Sequence, residues 1–119
     1  MILIIDDDSA VRSSLSFMLK RAGYEAQTVS GPREAMEVVR SVAPDLILMD
    51  VRMPGLDGLS AAGIIRELNP TVPIIATTAF AFETDREMAL AAGCNEYMSK
   101  PLEAEKLKTM VERYLENKL

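Results

Sequence analysis

The chain contains no histidine. That absence excludes Ser-His-Asp and Cys-His nucleophile pairs in their usual form. It also removes histidine-ligated zinc, and the single cysteine, Cys94, cannot replace it. Chemistry here falls to carboxylates, hydroxyls, lysine and a hard cation held by oxygen. One cysteine forms no internal disulfide, which fits a reducing compartment, and Cys94 reads as a small buried hydrophobe rather than a reactive thiol. No apolar run reaches the length of a membrane span, and the start lacks the basic region of a signal peptide. The expectation is a cytoplasmic domain without membrane contact. The formal net charge is −5 and no basic stripe is visible, which argues against direct nucleic-acid binding.

What is present is enough for one domain over residues 1–119, with 49% hydrophobic and 26% charged residues. The stretch Leu46-Ile47-Leu48-Met49-Asp50 organises it. A short apolar run bounded by turn formers reads as a strand buried on both faces. The acid at its C-terminal end then rises into the crevice where open α/β sheets bind ligands. Two further apolar runs also end in polar groups. Ile2-Leu3-Ile4-Ile5 leads to Asp6-Asp7-Asp8, and Pro73-Ile74-Ile75-Ala76 leads to Thr77-Thr78. A weaker strand, Glu96-Tyr97-Met98-Ser99, leads to Lys100-Pro101.

Helical spacing fills the intervals. Residues 9–22 carry an apolar face of Val11, Leu15, Met18, Leu19 and Ala22, with Gly23 as a left-handed cap. A short edge strand follows at residues 25–29. The second helix starts at Ser30-Gly31-Pro32, buries Ala35, Val38, Val39 and Val42, and stops at Pro44. The third spans residues 58–68 behind a loop over residues 53–58, with Asp57 as its cap. The fourth strand runs over residues 73–78. The fourth helix covers residues 83–92, with a thin apolar face of Met88, Ala89 and Ala92 and a cap at Gly93. A last strand at residues 95–99 precedes a helix over residues 103–117, whose core face is Leu107, Met110, Val111, Tyr114 and Leu115. Five strand–helix alternations imply a parallel sheet with helices on both faces and right-handed crossovers.

Single residues on this rim have ordinary explanations. One acid after a strand is a helix cap, a threonine suits a strand, and a lone lysine is usually solvated. Tyr97 reads as a half-buried strand aromatic. Three adjacent acids repel, however, and call for a cation; Mg²⁺ suits them, because it takes one or two carboxylates and keeps several waters. Asp50 near Asp6 and Asp7 would have a raised pKa without that cation, and with it becomes an anionic nucleophile of the aspartyl-phosphate type. X-Pro bonds are where cis peptides occur, so Lys100-Pro101 is a candidate.

Ile-Asp-Asp-Asp with Arg12 downstream, Leu-Met-Asp50-Val-Arg-Met-Pro-Gly-Leu-Asp-Gly, Thr78-Ala79, and the segment from Ala91 through Tyr97 to Lys100-Pro101 together resemble the receiver domain of two-component response regulators. The resemblance covers essentially the whole chain. It implies a flavodoxin-like, doubly wound five-stranded parallel sheet in the order 2-1-3-4-5. It implies Asp50 as phosphoacceptor, Asp7 as a direct Mg²⁺ ligand, Asp6 as an acid reaching the metal through water, and the Arg52 carbonyl as a further ligand. Thr78 and Lys100 would hold the phosphoryl group, and Tyr97 would change rotamer on activation. Asp8 stays outside the core site. The phosphoryl donor would be a histidine on a sensor kinase or a phosphotransfer protein. An output domain or partner protein would read the change, with the chain a monomer or a phosphorylation-promoted dimer.

A rival reading is a small Mg²⁺-dependent aspartyl phosphatase of the haloacid dehalogenase type, using Asp6-x-Asp8, Thr78 and Lys100. Against it, Ala10 stands where that motif expects threonine or valine, and its late pair of metal-binding acids is absent, since Glu103 and Glu105 lie on a helix start. A flavin-binding reading is weaker, because no Ser/Thr-rich phosphate loop follows the first strand and tryptophan is absent.

Overall fold

The computed structural model describes residues 1–52, 58–79 and 83–116, without the side chains of residues 58 and 83–85. Residues 53–57 of the expected 53–58 loop, with the cap at Asp57, and the end of the last helix at Asn117 lie outside the described residues. The elements alternate as β1 (Ile2–Ile5), α1 (Ser9–Arg21), β2 (Ala26–Val29), α2 (Pro32–Val42), β3 (Leu46–Asp50), α3 (Gly58–Leu68), β4 (Ile74–Thr78), α4 (Glu83–Ala91), β5 (Glu96–Ser99) and α5 (Ala104–Leu115). Every strand pair is parallel, and the order is β2-β1-β3-β4-β5. The flavodoxin-like expectation therefore holds.

The three central strands are buried along their whole length, as continuous apolar runs require in a sheet covered on both faces. Successive residues of a strand point to opposite faces. Ile2, Ile4, Leu46, Leu48 and Ile75 pack with Leu15 and Leu19 of α1 and with Leu107 and Val111 of α5. Leu3, Ile5, Ile47, Met49, Ile74 and Ala76 pack with α2 through Ala35 and Val39, with α3 through Ala61, Ala62 and Ile65, and with α4 through Ala89. The edge strands β2 and β5 are only partly buried.

Two expected core residues are surface residues instead. Val42 is 52% exposed and Met88 is 55% exposed. Val42 is the last residue of α2, immediately before Ala43 turns left-handed at φ 41°. That turn fits Pro44, which disfavours helical backbone at the residue before it. Met88 stands about 100° around the helix from Ala89, the residue through which α4 meets the core. Gly23 and Gly93 end α1 and α4 with φ of 95° and 113°, a conformation that costs a residue with Cβ.

Candidate functional site

The strand register builds the site. Pairing of Ile5 with Met49 sets Asp6 and Asp50 side by side just beyond the core. Asp50 lies opposite Thr77, and Thr78 lies opposite Ser99, so Lys100 follows at the same rim. The Lys100 amide donates to the Thr78 carbonyl at 2.6 Å, and the Lys100–Pro101 peptide bond is cis.

The acids meet here. Oxygens from Asp6, Asp7 and Asp50 lie within 4.8 Å of one another. Asp6 and Asp50 are buried, with 1% and 5% exposure, while Asp7 is exposed. Carboxylates this close need a counter-charge, and Lys100 supplies part of it. Its Nζ is 2.7 Å from Asp6 Oδ2 and 3.4 Å from Asp50 Oδ2. The lysine is therefore no solvated surface residue. An all-oxygen donor set around a partly compensated negative charge fits Mg²⁺ and does not resemble a zinc site.

Backbone amides hold two of these acids in place. Asp6 Oδ1 accepts from the Asp8 amide at 2.9 Å, and Asp50 Oδ1 accepts from the Arg52 amide at 3.0 Å. Arg12, one turn into α1, donates from Nη1 to the Asp6 carbonyl at 2.7 Å and closes the exit of β1. Asp8 does different work: its Oδ1 accepts from the amides of Ala10 and Val11 and caps α1.

Electrostatics follow from this burial. Desolvation raises the Asp50 carboxyl above its ordinary range. The Arg52 amide and the Lys100 ammonium pull it down and Asp6 pushes it up, and the net shift is upward. Desolvation works against the charged Lys100 ammonium, but the hydrogen bonds and charges of Asp6 and Asp50 outweigh it and hold its pKa up. Thr78 is buried at the end of β4, and Tyr97 is partly buried against the core layer beneath α2, α3 and α4. The sequence-derived site residues Asp6, Asp7, Asp50, Thr78 and Lys100 thus gather at one rim, with Arg52 at the β3 exit and Tyr97 within β5.

Sequence reasoning assigned no role to Arg12, although it stands in the motif. It likewise gave no role to Asn95, which stands in the motif and begins the expected last strand, and it missed Arg66; these two act at the other end of the sheet. Cys94 is buried and its thiol is pushed up to about 11, chiefly by desolvation.

Residues 2–112 match the response regulator receiver domain family. An uncharacterized 14.6 kDa protein of Leptolyngbya boryana is 39% identical over 115 residues, covering 95% of this chain and 88% of that protein. The response regulator MprA of Mycolicibacterium vanbaalenii is 39% identical over 106 residues, covering 89% of this chain and 46% of that protein. This chain therefore spans most of the first relative and about half of the second. The crystal structure of the receiver domain of sensor histidine kinase PA1611 from Pseudomonas aeruginosa has a magnesium ion coordinated in its active-site cleft. It matches with a TM-score of 0.89 at 36% identity, covering 98% of this chain and 97% of that one.

The haloacid dehalogenase alternative is not supported. Its Asp6-x-Asp8 pair is split between two tasks, since Asp8 caps α1 and Asp6 is ion-paired with Lys100. The family match over residues 2–112 points elsewhere.

Proposed function

The chain belongs to the response regulator receiver domain family of two-component systems, and on that premise we propose that Asp50 is its phosphoacceptor. The observation that carries this reading is one buried carboxylate at the end of the central strand, flanked by two more acids and an ammonium. Asp50 attacks the phosphorus of a phosphohistidine on a sensor kinase or phosphotransfer protein. A P–O bond forms to its carboxylate, the P–N bond breaks, and the imidazole leaves with its electron pair. Such transfer depends on positioning and charge stabilisation more than on covalent chemistry by the protein.

The residues divide that task. The Arg52 amide orients the Asp50 carboxylate. Asp6 and Asp7, with Asp50 and the Arg52 carbonyl, would hold Mg²⁺. When bound, Mg²⁺ supplies the positive charge that offsets the phosphoryl oxygens. Lys100 moves its ammonium from Asp6 toward the phosphoryl group, and the Thr78 hydroxyl bonds another oxygen. The product is an altered surface rather than a released molecule, so the chain is a switch and not an enzyme acting on others. Residues 1–119 act as one receiver unit in the cytoplasm, without membrane or nucleic-acid contact of its own. A linked output domain or partner protein reads it, with the chain a monomer or a phosphorylation-promoted dimer.

Readout lies on the face of α4, β5 and α5. Drawing the Thr78 hydroxyl toward Asp50 frees space that Tyr97 fills by turning inward. A two-state element biased by local phosphate contacts is a common form of such switches. The test is incubation with acetyl phosphate and Mg²⁺, followed by intact-mass measurement. The chain should gain one phosphoryl group and Asp50→Asn none. Phosphorylation of Asp50→Asn on another rim acid would refute the assignment.

A further inference from the structure

Arg66, in the last turn of α3, directs its guanidinium to the end of the sheet opposite Asp50. Its Nε and Nη2 donate to the Gly93 carbonyl at 3.2 and 2.7 Å. Nη2 also donates to Asn95 Oδ1 at 3.0 Å. Nη1 donates to the Val72 carbonyl at 2.6 Å and to the Asn69 carbonyl at 3.3 Å. The acceptors belong to two connections: Asn69 and Val72 lead into β4, while Gly93 and Asn95 lie between α4 and β5. Asn95 extends the tie. Its Oδ1 accepts from the Ile74 amide at 2.9 Å, and its own amide donates to the Ile74 carbonyl at 2.7 Å. The Arg66 stem also lies against the turn, since a Cβ at Gly93 would stand 3.6 Å from Arg66 Cβ, Cγ and Nε. A planar fork with donors in several fixed directions can hold such a set, and a lysine ammonium cannot reproduce it.

The rest of α4 is held less firmly. Among its described side chains Ala89 is the one fully buried, while Met88 and Leu90 are 55% and 40% exposed. At five residues β4 is roughly 13 Å long between its end residues, so the Arg66 tie and the Thr78 rim act on well-separated points. We propose that Arg66 is the positioning residue of the switch: it fixes the C-terminal end of α4 and the start of β5 to α3 and β4, so that activation swings α4 about Gly93. This inference rests on the readout face described under the proposed function. Motion begins at Thr78, dies out along the helix and stops at the Arg66 cluster. A helix tied at one end and lightly packed along its length tilts rather than slides.

The test is NMR on the full chain, with and without Mg²⁺ and beryllofluoride, whose BeF₃⁻ group stands in for the phosphoryl group on Asp50. In the wild type the amides of Thr78 and Lys100 should shift strongly. The Arg66 Nε–H signal and the amides of Ile74 and Asn95 should stay nearly fixed. Arg66→Lys keeps the charge but loses the fork, and the shifts should then spread into Asn95 and Ile74. A merely structural arginine would lower thermal stability on substitution and leave that spread unchanged. The proposal is overturned if the wild-type Arg66 Nε–H signal moves as far as Thr78, or if Arg66→Lys shows the wild-type pattern. Should Arg66→Lys not fold, the wild-type signal decides alone. Wild-type shifts confined to the surroundings of Asp7 and Asp50 would refute the readout face itself, and the hinge with it, which separates the two failures.

Discussion

Lys100 Nζ lies 2.7 Å from Asp6 Oδ2, closer than its 3.4 Å approach to Asp50. The ammonium comes from the end of β5 and the carboxylate from the end of β1, two strands that β3 and β4 separate in the sheet. Lysine thus bridges the rim, and it compensates the same acids that a cation would.

Competition between lysine and metal gives the first prediction. Lys100→Met leaves Asp6, 1% exposed, without its ammonium partner. Without Mg²⁺ the variant should lose about 1–3 kcal/mol in urea denaturation, the usual cost of removing one partner of a buried polar pair. Saturating Mg²⁺ should restore most of it, because metal binding to the folded state adds stability by mass action. Calorimetry should show tighter Mg²⁺ binding than in the wild type. An equal stability loss with and without Mg²⁺ would mean that lysine and metal do not share these acids.

Asp50 gives a pH-dependent prediction. Desolvation is the largest cause of its raised carboxyl pKa, so the unfolded chain ionises this group more readily than the folded one. Stability contributed by the neutral carboxyl is then present below the unfolded value and lost as pH rises through the folded value. Asp50→Asn has no charge to bury, and its amide oxygen can still accept from Arg52. In chelator the variant should match the wild type near pH 3 and become the more stable of the two as pH climbs through the carboxyl range of roughly 4 and above. Mg²⁺ should erase that gain, since the metal favours the carboxylate. Denaturation midpoints across pH check this; a variant less stable than the wild type at neutral pH would contradict it.

Much of this could be read in the sequence because its signals are local. Apolar runs ending in polar groups, acids in two and threonines in the third, announced three strands and one rim, and Gly23 and Gly93 marked two helix ends. The limits were equally physical. Helical spacing does not say where along a helix the sheet's cover ends, which left Val42 exposed at the end of α2, nor how narrow the covered stripe is, which left Met88 outside a contact that α4 makes through Ala89. Arg66 gave no signal, because a cation in the last turn of a helix is expected on electrostatic grounds alone. Its acceptors are mostly backbone carbonyls, which every residue carries. As a single residue Lys100 read as solvated, and its role beside a phosphoryl group was implied only by the resemblance. Its pairing with Asp6 needed the strand order, which the sequence supplied only through resemblance.

Cys94 supports a third prediction. Its thiol is buried and pushed up to about 11, first by desolvation, against a smaller opposing effect of Arg66. Thiolates are the reactive form. A disulfide reagent at pH 8 should therefore leave the native chain unmodified for as long as it stays folded, and label it promptly in denaturant. Labelling of the native chain as fast as that of the unfolded one would show that the thiol is accessible.

Asp7 separates a functional acid from a structural one. Asp6 pairs with Lys100 and Asp50 accepts an amide, whereas Asp7 is exposed beside both and adds like charge to the cluster. Unbound, such a carboxylate repels its neighbours and contributes nothing to the core. Asp7→Ala should therefore leave the metal-free chain at least as stable as the wild type. Its affinity for Mg²⁺ should fall by at least about tenfold, since even the outer partners of metal ligands cost that much on removal. Phosphorylation by acetyl phosphate should slow in parallel. A helix cap or buried pair would behave in the opposite way, with stability lost and metal binding kept. Titration calorimetry and urea denaturation on the one variant distinguish these outcomes. Unchanged Mg²⁺ affinity in Asp7→Ala would remove Asp7 from the metal site.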